Sequence, residues 1–379
     1  MADEKDREKD QRREALKLQS RVRGMMLGLA LGDTVGAARG RPPAGGPLRA
    51  GVSTQLACFT AEGIIRASVR GNKKGICYPP GVVMHAYCRW AALQGIEVDR
   101  MRRRWVTVDD RTWPDGWLAG VPVLAERRGS APATVTALST IEPGGYGTPT
   151  TSRGCHALTR ALPFGAVGLP GARQARDVAA LTHGDAGAQS AAFHATVLVH
   201  HCLRQQTAPH GGQGPEAGEP VRSALSAGIA ALRARERSRG GVLTDDEHDR
   251  LLTALRYAAD EPAHAGRLAR LAPDPTAPSA LLGGLYVAAS FPGPGEVRAA
   301  LEFAAGAPDG DSVACVTGAL LGAVHGVEAL PVDLVSRHEL AWVLDTLARD
   351  LLLQCDDSPS GSEYLRGWDP HWWERYPGW

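Results

Sequence analysis

The residues of this chain best suited to chemistry fall in a few short clusters. Asp309-Gly310-Asp311-Ser312 places two carboxylates and a hydroxyl within four residues, directly before the apolar stretch 313–326. Such oxygens are the donors that hard cations prefer. An acid or Ser ahead of an apolar helix is also an ordinary N-cap that favours the helix dipole, so the cluster carries two readings. Gly32-Asp33-Thr34-Val35-Gly36 puts a lone acid at the end of an apolar run and, by itself, reads as a helix terminus with a turn. Thr182-His183-Gly184-Asp185 breaks another apolar run, and a His in that setting is more often a hydrogen-bonded interior residue than a catalyst. Cys155, between Gly154 and His156, is a nucleophile in principle. No Cys–His–Asn order accompanies it, which leaves it a small residue of a pocket wall. His194, His200 and His201 share one helical stretch without carboxylates nearby in sequence, which argues against zinc. Glu62 lies on a mostly apolar stripe as a buried ion-pair partner. Arg102-Arg103-Arg104 reads as a solvated loop face, with a phosphate contact as the alternative.

These clusters need a frame. Val22, Met25, Met26, Leu29 and Ala30 recur at helical spacing. Further helices are predicted over 54–70, with Thr54 or Ser53 as N-cap, over 79–94, and, short, over 115–128. Residues 139–153 read as loop, and 154–170, mixing Gly, Pro and apolar residues, as a pocket-lining segment. Two helices broken at THGDAG fill 173–204; 207–220 is a surface insertion rich in Gly and Pro. Helices at 222–237, 245–259, 280–305, 311–326 and 335–355 complete the set. Strand alternation is weak and no repeat appears. The expectation is an all-α, compact single-domain helical bundle with a central cleft. It comprises a charged arm at 1–20, the domain at 21–356 and a tail at 357–379, which holds Trp368, Trp372, Trp373 and Trp379, four of the nine Trp.

Composition narrows the partners. Across 379 residues, 42 Lys and Arg balance 41 Asp and Glu, for a formal charge of +1. That argues against a general grip on nucleic acid or membrane, while leaving room for a local pocket for one anionic molecule. Seven cysteines without paired spacing suit a reducing, cytoplasmic setting. The charged start lacks the apolar core of a signal peptide, and no apolar run is long enough to span a bilayer.

Four segments, taken together, resemble the ADP-ribosylglycohydrolases. Gly24-Met25-Met26-Leu27-Gly28-Leu29-Ala30-Leu31-Gly32-Asp33-Thr34-Val35-Gly36 is similar to the family's opening G-x-x-x-G-x-A-x-G-D-x-x-G. Thr54-Gln55-Leu56-Ala57-Cys58-Phe59-Thr60-Ala61-Glu62-Gly63 is similar to the helix after its T-D-D-T motif. Leu181-Thr182-His183-Gly184 matches its T-H stretch. Asp309-Gly310-Asp311-Ser312, with the small-residue helix through Gly326, resembles its late D-x-D-[ST] motif. The stretches 85–90 and 154–163 look similar as well.

The resemblance implies an all-helical fold with the site in a cleft. It also implies hydrolysis of the glycosidic bond at the anomeric carbon of ADP-ribose, assisted by two divalent cations, Mg²⁺ or Mn²⁺. Asp309, Asp311 and Ser312 stand at one set of metal positions. Gly51-Val52-Ser53-Thr54 overlies the other set, T-D-D-T, so Val52 and Ser53 stand where the family has two aspartates. Asp33, Gly154, Cys155, His156 and His183 fall at substrate-side positions, with His156 where the family has a small residue. Removing two anions leaves a pair of dications poorly neutralised, so one ion or none is expected. The implied ligand is ADP-ribose or a related nucleotide, or an ADP-ribosylated protein. Three functions follow: a pocket with hydrolysis impaired or lost, an active hydrolase with a remodelled site, and an interaction protein docking a partner through its tail.

Overall fold

The computed structural model describes residues 2–96, 113–142, 145–205, 220–239 and 244–378. Arg102–Arg104, nearly all of the insertion at 207–220, and Trp379 lie outside the described residues. Helices and short 3-10 turns make up the architecture; among the described residues there are isolated bridges but no strand. In chain order the helices are α1 (Ala2–Ala37), α2 (Val52–Lys74), α3 (Pro79–Leu93), α4 (Pro132–Ser139), α5 (His156–Thr159), α6 (Leu169–Ala180), α7 (Ala186–Leu203) and α8 (Pro220–Arg239). They continue with α9 (Asp245–Asp260), α10 (Ala265–Leu271), α11 (Ala277–Ser290), α12 (Val297–Ala304), α13 (Gly310–His325), α14 (Val332–Val335), α15 (Ala341–Asp356) and α16 (Trp372–Arg375). No helix among the described residues is long and apolar enough to cross a membrane.

The centre is the antiparallel pair α1–α13, and small residues every four positions explain it. A Cβ added to Gly28 would lie 2.1 Å from the carbonyl oxygen of Gly318. One added to Gly32 would lie 2.0 Å from that of Ala314, and one added to Gly322 would lie 2.0 Å from that of Gly24. The backbones are in contact, which only small side chains allow. At the far end Gly36 abuts Asp311, where an added Cβ would come within 2.4 Å of its Cα. The pairing therefore carries Asp33, one residue after Gly32, to the same end of the bundle as the start of α13.

Two local expectations are corrected. Helix α2 starts at Val52 with Gly51 as N-cap, not at Ser53 or Thr54. Asp33 supplies the missing acceptor from another helix: its Oδ2 receives the Thr54 N–H at 3.0 Å and the Thr54 hydroxyl at 2.6 Å. Residues 115–128 form two 3-10 turns, Trp117–Gly120 and Pro122–Ala125, because Pro122 cannot continue a helical hydrogen-bond ladder. The charged start is a helical extension of α1, and its residues 6–16 are exposed. The tail folds back on the body. Trp372 is buried and donates from Nε1 to Gln354 Oε1 at 2.9 Å, and the Tyr376 hydroxyl donates to Asp350 Oδ2 at 2.5 Å.

Candidate functional site

The start of α13 meets the end of α1, the start of α2 and the short α5. Asp309 is the N-cap residue of α13, yet its side chain makes no capping hydrogen bond. Its Oδ2 is buried and, among the described residues, has no hydrogen-bond partner. The capping reading therefore does not explain Asp309. Asp311 Oδ1 receives the N–H of Ser312 at 3.0 Å, and the Ser312 side chain is buried. Burial, reinforced by the charge of Asp311, pushes Asp309 up to about 6. Asp33, buried, is likewise pushed up to about 6, first by desolvation and then by Asp311, against the opposing hydrogen bonds from Thr54. Three carboxyl groups thus share one end of the bundle, and burial, more than the charge of Asp311, favours the protonated form of Asp33 and Asp309.

Val52 and Ser53 are absorbed into the packing. A Cβ at Gly129 would lie 2.9 Å from Val52 Cγ1, so the valine side chain sits against the backbone of the loop before α4. The Ser53 hydroxyl receives the Thr159 hydroxyl of α5 at 3.0 Å. Neither side chain is left as an anionic donor. Among the described residues, no three His, Cys, Asp or Glu side chains converge as metal ligands would. Asp33 is engaged with Thr54, which leaves Asp309 and Asp311 as the available carboxylates. This donor set fits a single hard cation held in part by water, and does not fit two.

The other predicted residues line the same region. Cys155 lies beside Asp309 and Ser312, and burial pushes its thiol far up, the reverse of an activated nucleophile. His156 is pushed down to about 4, by burial and then by the neighbouring Arg160, so its imidazole is neutral at pH 7. Gly154 is tied to Ser152 and bridges to Thr276 ahead of α11. His183 is buried behind it. His183 Nδ1 is 2.8 Å from the Thr182 hydroxyl, and burial, then Arg160, pushes the ring down to about 3. Asp185 caps α7 through the Ala188 N–H at 2.9 Å.

Sequence reasoning missed Arg160. It is fully buried, donates to the hydroxyls of Thr134 at 2.8 Å and Thr182 at 2.5 Å, and lies over the Tyr87 ring at 4.4 Å. Among the described residues it has no ion-pair partner. The Thr182 hydroxyl accepts from this guanidinium and is then free to donate to His183 Nδ1, which fits the neutral imidazole that burial favours. The signals in sequence were a charge inside the mostly apolar run 157–167 and its place in the stretch 154–163 that resembles the family.

Glu62 belongs to a separate charged cluster. It is fully buried, pairs with Arg89, and lies 3.5 Å from Arg66. Asp115 completes the group, 3.0 Å from Arg66 and 3.5 Å from Arg89.

Comparison with known proteins gives a consistent result. The sequence matches the family model for ADP-ribosylglycohydrolases over residues 14–360. The fold is similar to a solved structure named "ADP-ribosylglycohydrolase-related protein complex", with 20% identity and a TM-score of 0.53, covering 89% of this chain and 99% of that one. None of the curated proteins matches.

Proposed function

This chain belongs to the ADP-ribosylglycohydrolase family, and on that premise we infer that it binds ADP-ribose or a related nucleotide at the α1–α2–α5–α13 junction with hydrolysis impaired or lost. The observation that carries the reading is the use made of Val52 and Ser53: one packs on Gly129, the other accepts from Thr159. Two dications about 4 Å apart repel each other by roughly 16 kcal/mol at an effective dielectric of about 20. Asp309 and Asp311 are too few anions to offset that repulsion. His156, neutral and near enough to Asp311 to feel its charge, adds no anion to the set.

Calorimetric titration with ADP-ribose, with and without Mg²⁺ or Mn²⁺, tests the reading. Binding that does not depend on metal, together with no release of ADP-ribose from ADP-ribosyl-arginine, is the expected result. Brisk metal-dependent turnover, or no uptake of ADP-ribose at all, would refute it.

One observation favours a second reading, an active hydrolase with a single ion. The unpartnered Oδ2 of Asp309 is a ready ligand, and a carboxyl near 6 suits proton transfer at neutral pH. On that reading Mg²⁺ or Mn²⁺ would be held by Asp309 and Asp311 and would polarise the ribose hydroxyls. Replacing both with Ala then abolishes activity. Of the tail indoles, Trp372 is buried within the protein itself, whereas Trp368 is 57% exposed.

A further inference from the structure

A cavity lies away from this junction, where the C-terminal segment crosses the end of α2. It is a groove of about 710 Å³ walled by Lys73, Lys74, Arg366, Trp368, Asp369 and Trp373. That size falls within the usual range of small-molecule sites. Its charge is unbalanced. Among the described residues Lys74 and Arg366 have no ion-pair partner, and Lys73 Nζ donates only to the Ser362 carbonyl, at 3.3 Å. The one acid in the wall, Asp369, already receives the His371 N–H at 2.9 Å. Beside these cations stands an indole that is both exposed and fixed. Trp368 is 57% exposed, while its Nε1 donates to Asp357 Oδ2 at 3.2 Å. Trp373, half-buried against the core, forms another side.

The wall is built rather than draped. Glu363 N–H donates to the Asn72 carbonyl at 2.9 Å, Ser362 N–H to Leu365 at 2.8 Å, and Asp369 N–H to Pro359 at 3.1 Å. A Cβ at Gly367 would lie 2.2 Å from the Pro359 carbonyl oxygen, so this segment packs backbone against backbone. A wall held in this way loses little entropy when a ligand arrives.

We propose that this groove is a nucleotide site, separate from the junction of α1 and α13, which takes the base of a nucleoside phosphate against Trp368 and its phosphates on Lys74 and Arg366. Unpaired cations next to a clamped aromatic face match a ligand that is anionic at one end and flat at the other. An acidic peptide satisfies the cations but offers the indole no flat partner. Because every base has a π-face, recognition is tolerant of base identity and sensitive to salt.

The test uses the full chain, with ATP and UTP as probes, followed by tryptophan quenching and calorimetry. Both nucleotides bind with similar affinity, weakened by salt. Trp368→Ala, or Lys74→Glu with Arg366→Glu, weakens both by about tenfold or more, the loss of one stacked face or of the phosphate charges. Trp368→Phe, which keeps a flat ring, retains most of the affinity, and circular dichroism verifies that each variant is folded. Asp309→Ala with Asp311→Ala leaves this binding unchanged. The proposal is overturned if neither nucleotide binds at about 1 mM, if the groove variants bind like the parent, or if the double aspartate variant abolishes binding. Uptake of a single-stranded oligonucleotide or an acidic peptide without any mononucleotide overturns it equally.

Discussion

Two buried charged regions of this protein have been completed in different ways. The cluster of Glu62, Asp115, Arg66 and Arg89 holds two acids and two guanidiniums, each within 4 Å of opposite charge. Nothing from outside is needed to neutralise it. It ties α2 and α3 to the loop before the 3-10 turns, and Arg66 Nε reaches the tail at the Pro377 carbonyl, 3.1 Å away. The junction of α1 and α13 gathers Asp33, Asp309 and Asp311 with no cation among them. It responds by raising carboxyl pKa values and by leaving Asp309 Oδ2 without a partner. Arg160, the nearby positive charge, points instead into hydroxyls and a tyrosine face. A charge set closed by the chain itself is structural; one left open is where a ligand or ion changes the energy most.

The largest way to break this comparison is to open the closed set. Glu62→Gln leaves two buried guanidiniums facing one carboxylate and should cost about 3–5 kcal/mol in denaturant unfolding. Asp309→Asn should cost far less. Equal losses at the two positions would erase the distinction.

Next comes acid sensitivity around Arg160. The His183 pKa is lowered on folding, to about 3, so the unfolded chain holds the extra proton and stability falls as pH drops below 6.5. The loss from this one group is about 2 kcal/mol between pH 7 and pH 5. His183→Gln should flatten that part of the pH–stability curve.

The open acidic set carries the opposite sign. Asp33 is raised from 3.8 to about 6, so the stability it lends is full below about pH 4 and lost as pH rises through 6. An asparagine side chain at this position would stay neutral, and its amide oxygen would still accept from Thr54. The variant Asp33→Asn should therefore match the parent near pH 4 and exceed it above pH 7, by about 2–3 kcal/mol. A gap that does not open with pH would mean that burial does not raise this carboxyl.

The smallest effect sharpens the comparison most. Manganese at about 1 mM should raise the parent's unfolding free energy by less than about 1 kcal/mol, and Asp309→Asn should remove the gain. A gain of several kcal/mol would mean that the site binds the ion tightly, and would favour the hydrolase reading.

Much of the scaffold was legible in the residues. The four-residue rhythm of Gly24, Gly28, Gly32 and Gly36, and of the small residues of α13, already called for helices in close contact, because only side chains of that size let two backbones touch. The D-x-D cluster, and the hydrocarbon and hydroxyl at positions 52 and 53, could likewise be seen before any coordinates. Less was legible where a partner comes from far along the chain. Ser53 and Thr54 look like N-caps, since local sequence cannot show that Asp33, 21 residues earlier, supplies the acceptor. Glu62 shows itself only as an acid on an apolar stripe until Arg89 and Asp115 are brought beside it.

The sequence by itself determined the helical class and the family, because each is written in residue type and short spacing. Tertiary structure alone decided which charges meet. Pairing depends on distance through space, and the dielectric around each group depends on what packs over it; neither quantity exists in the chain until it has folded.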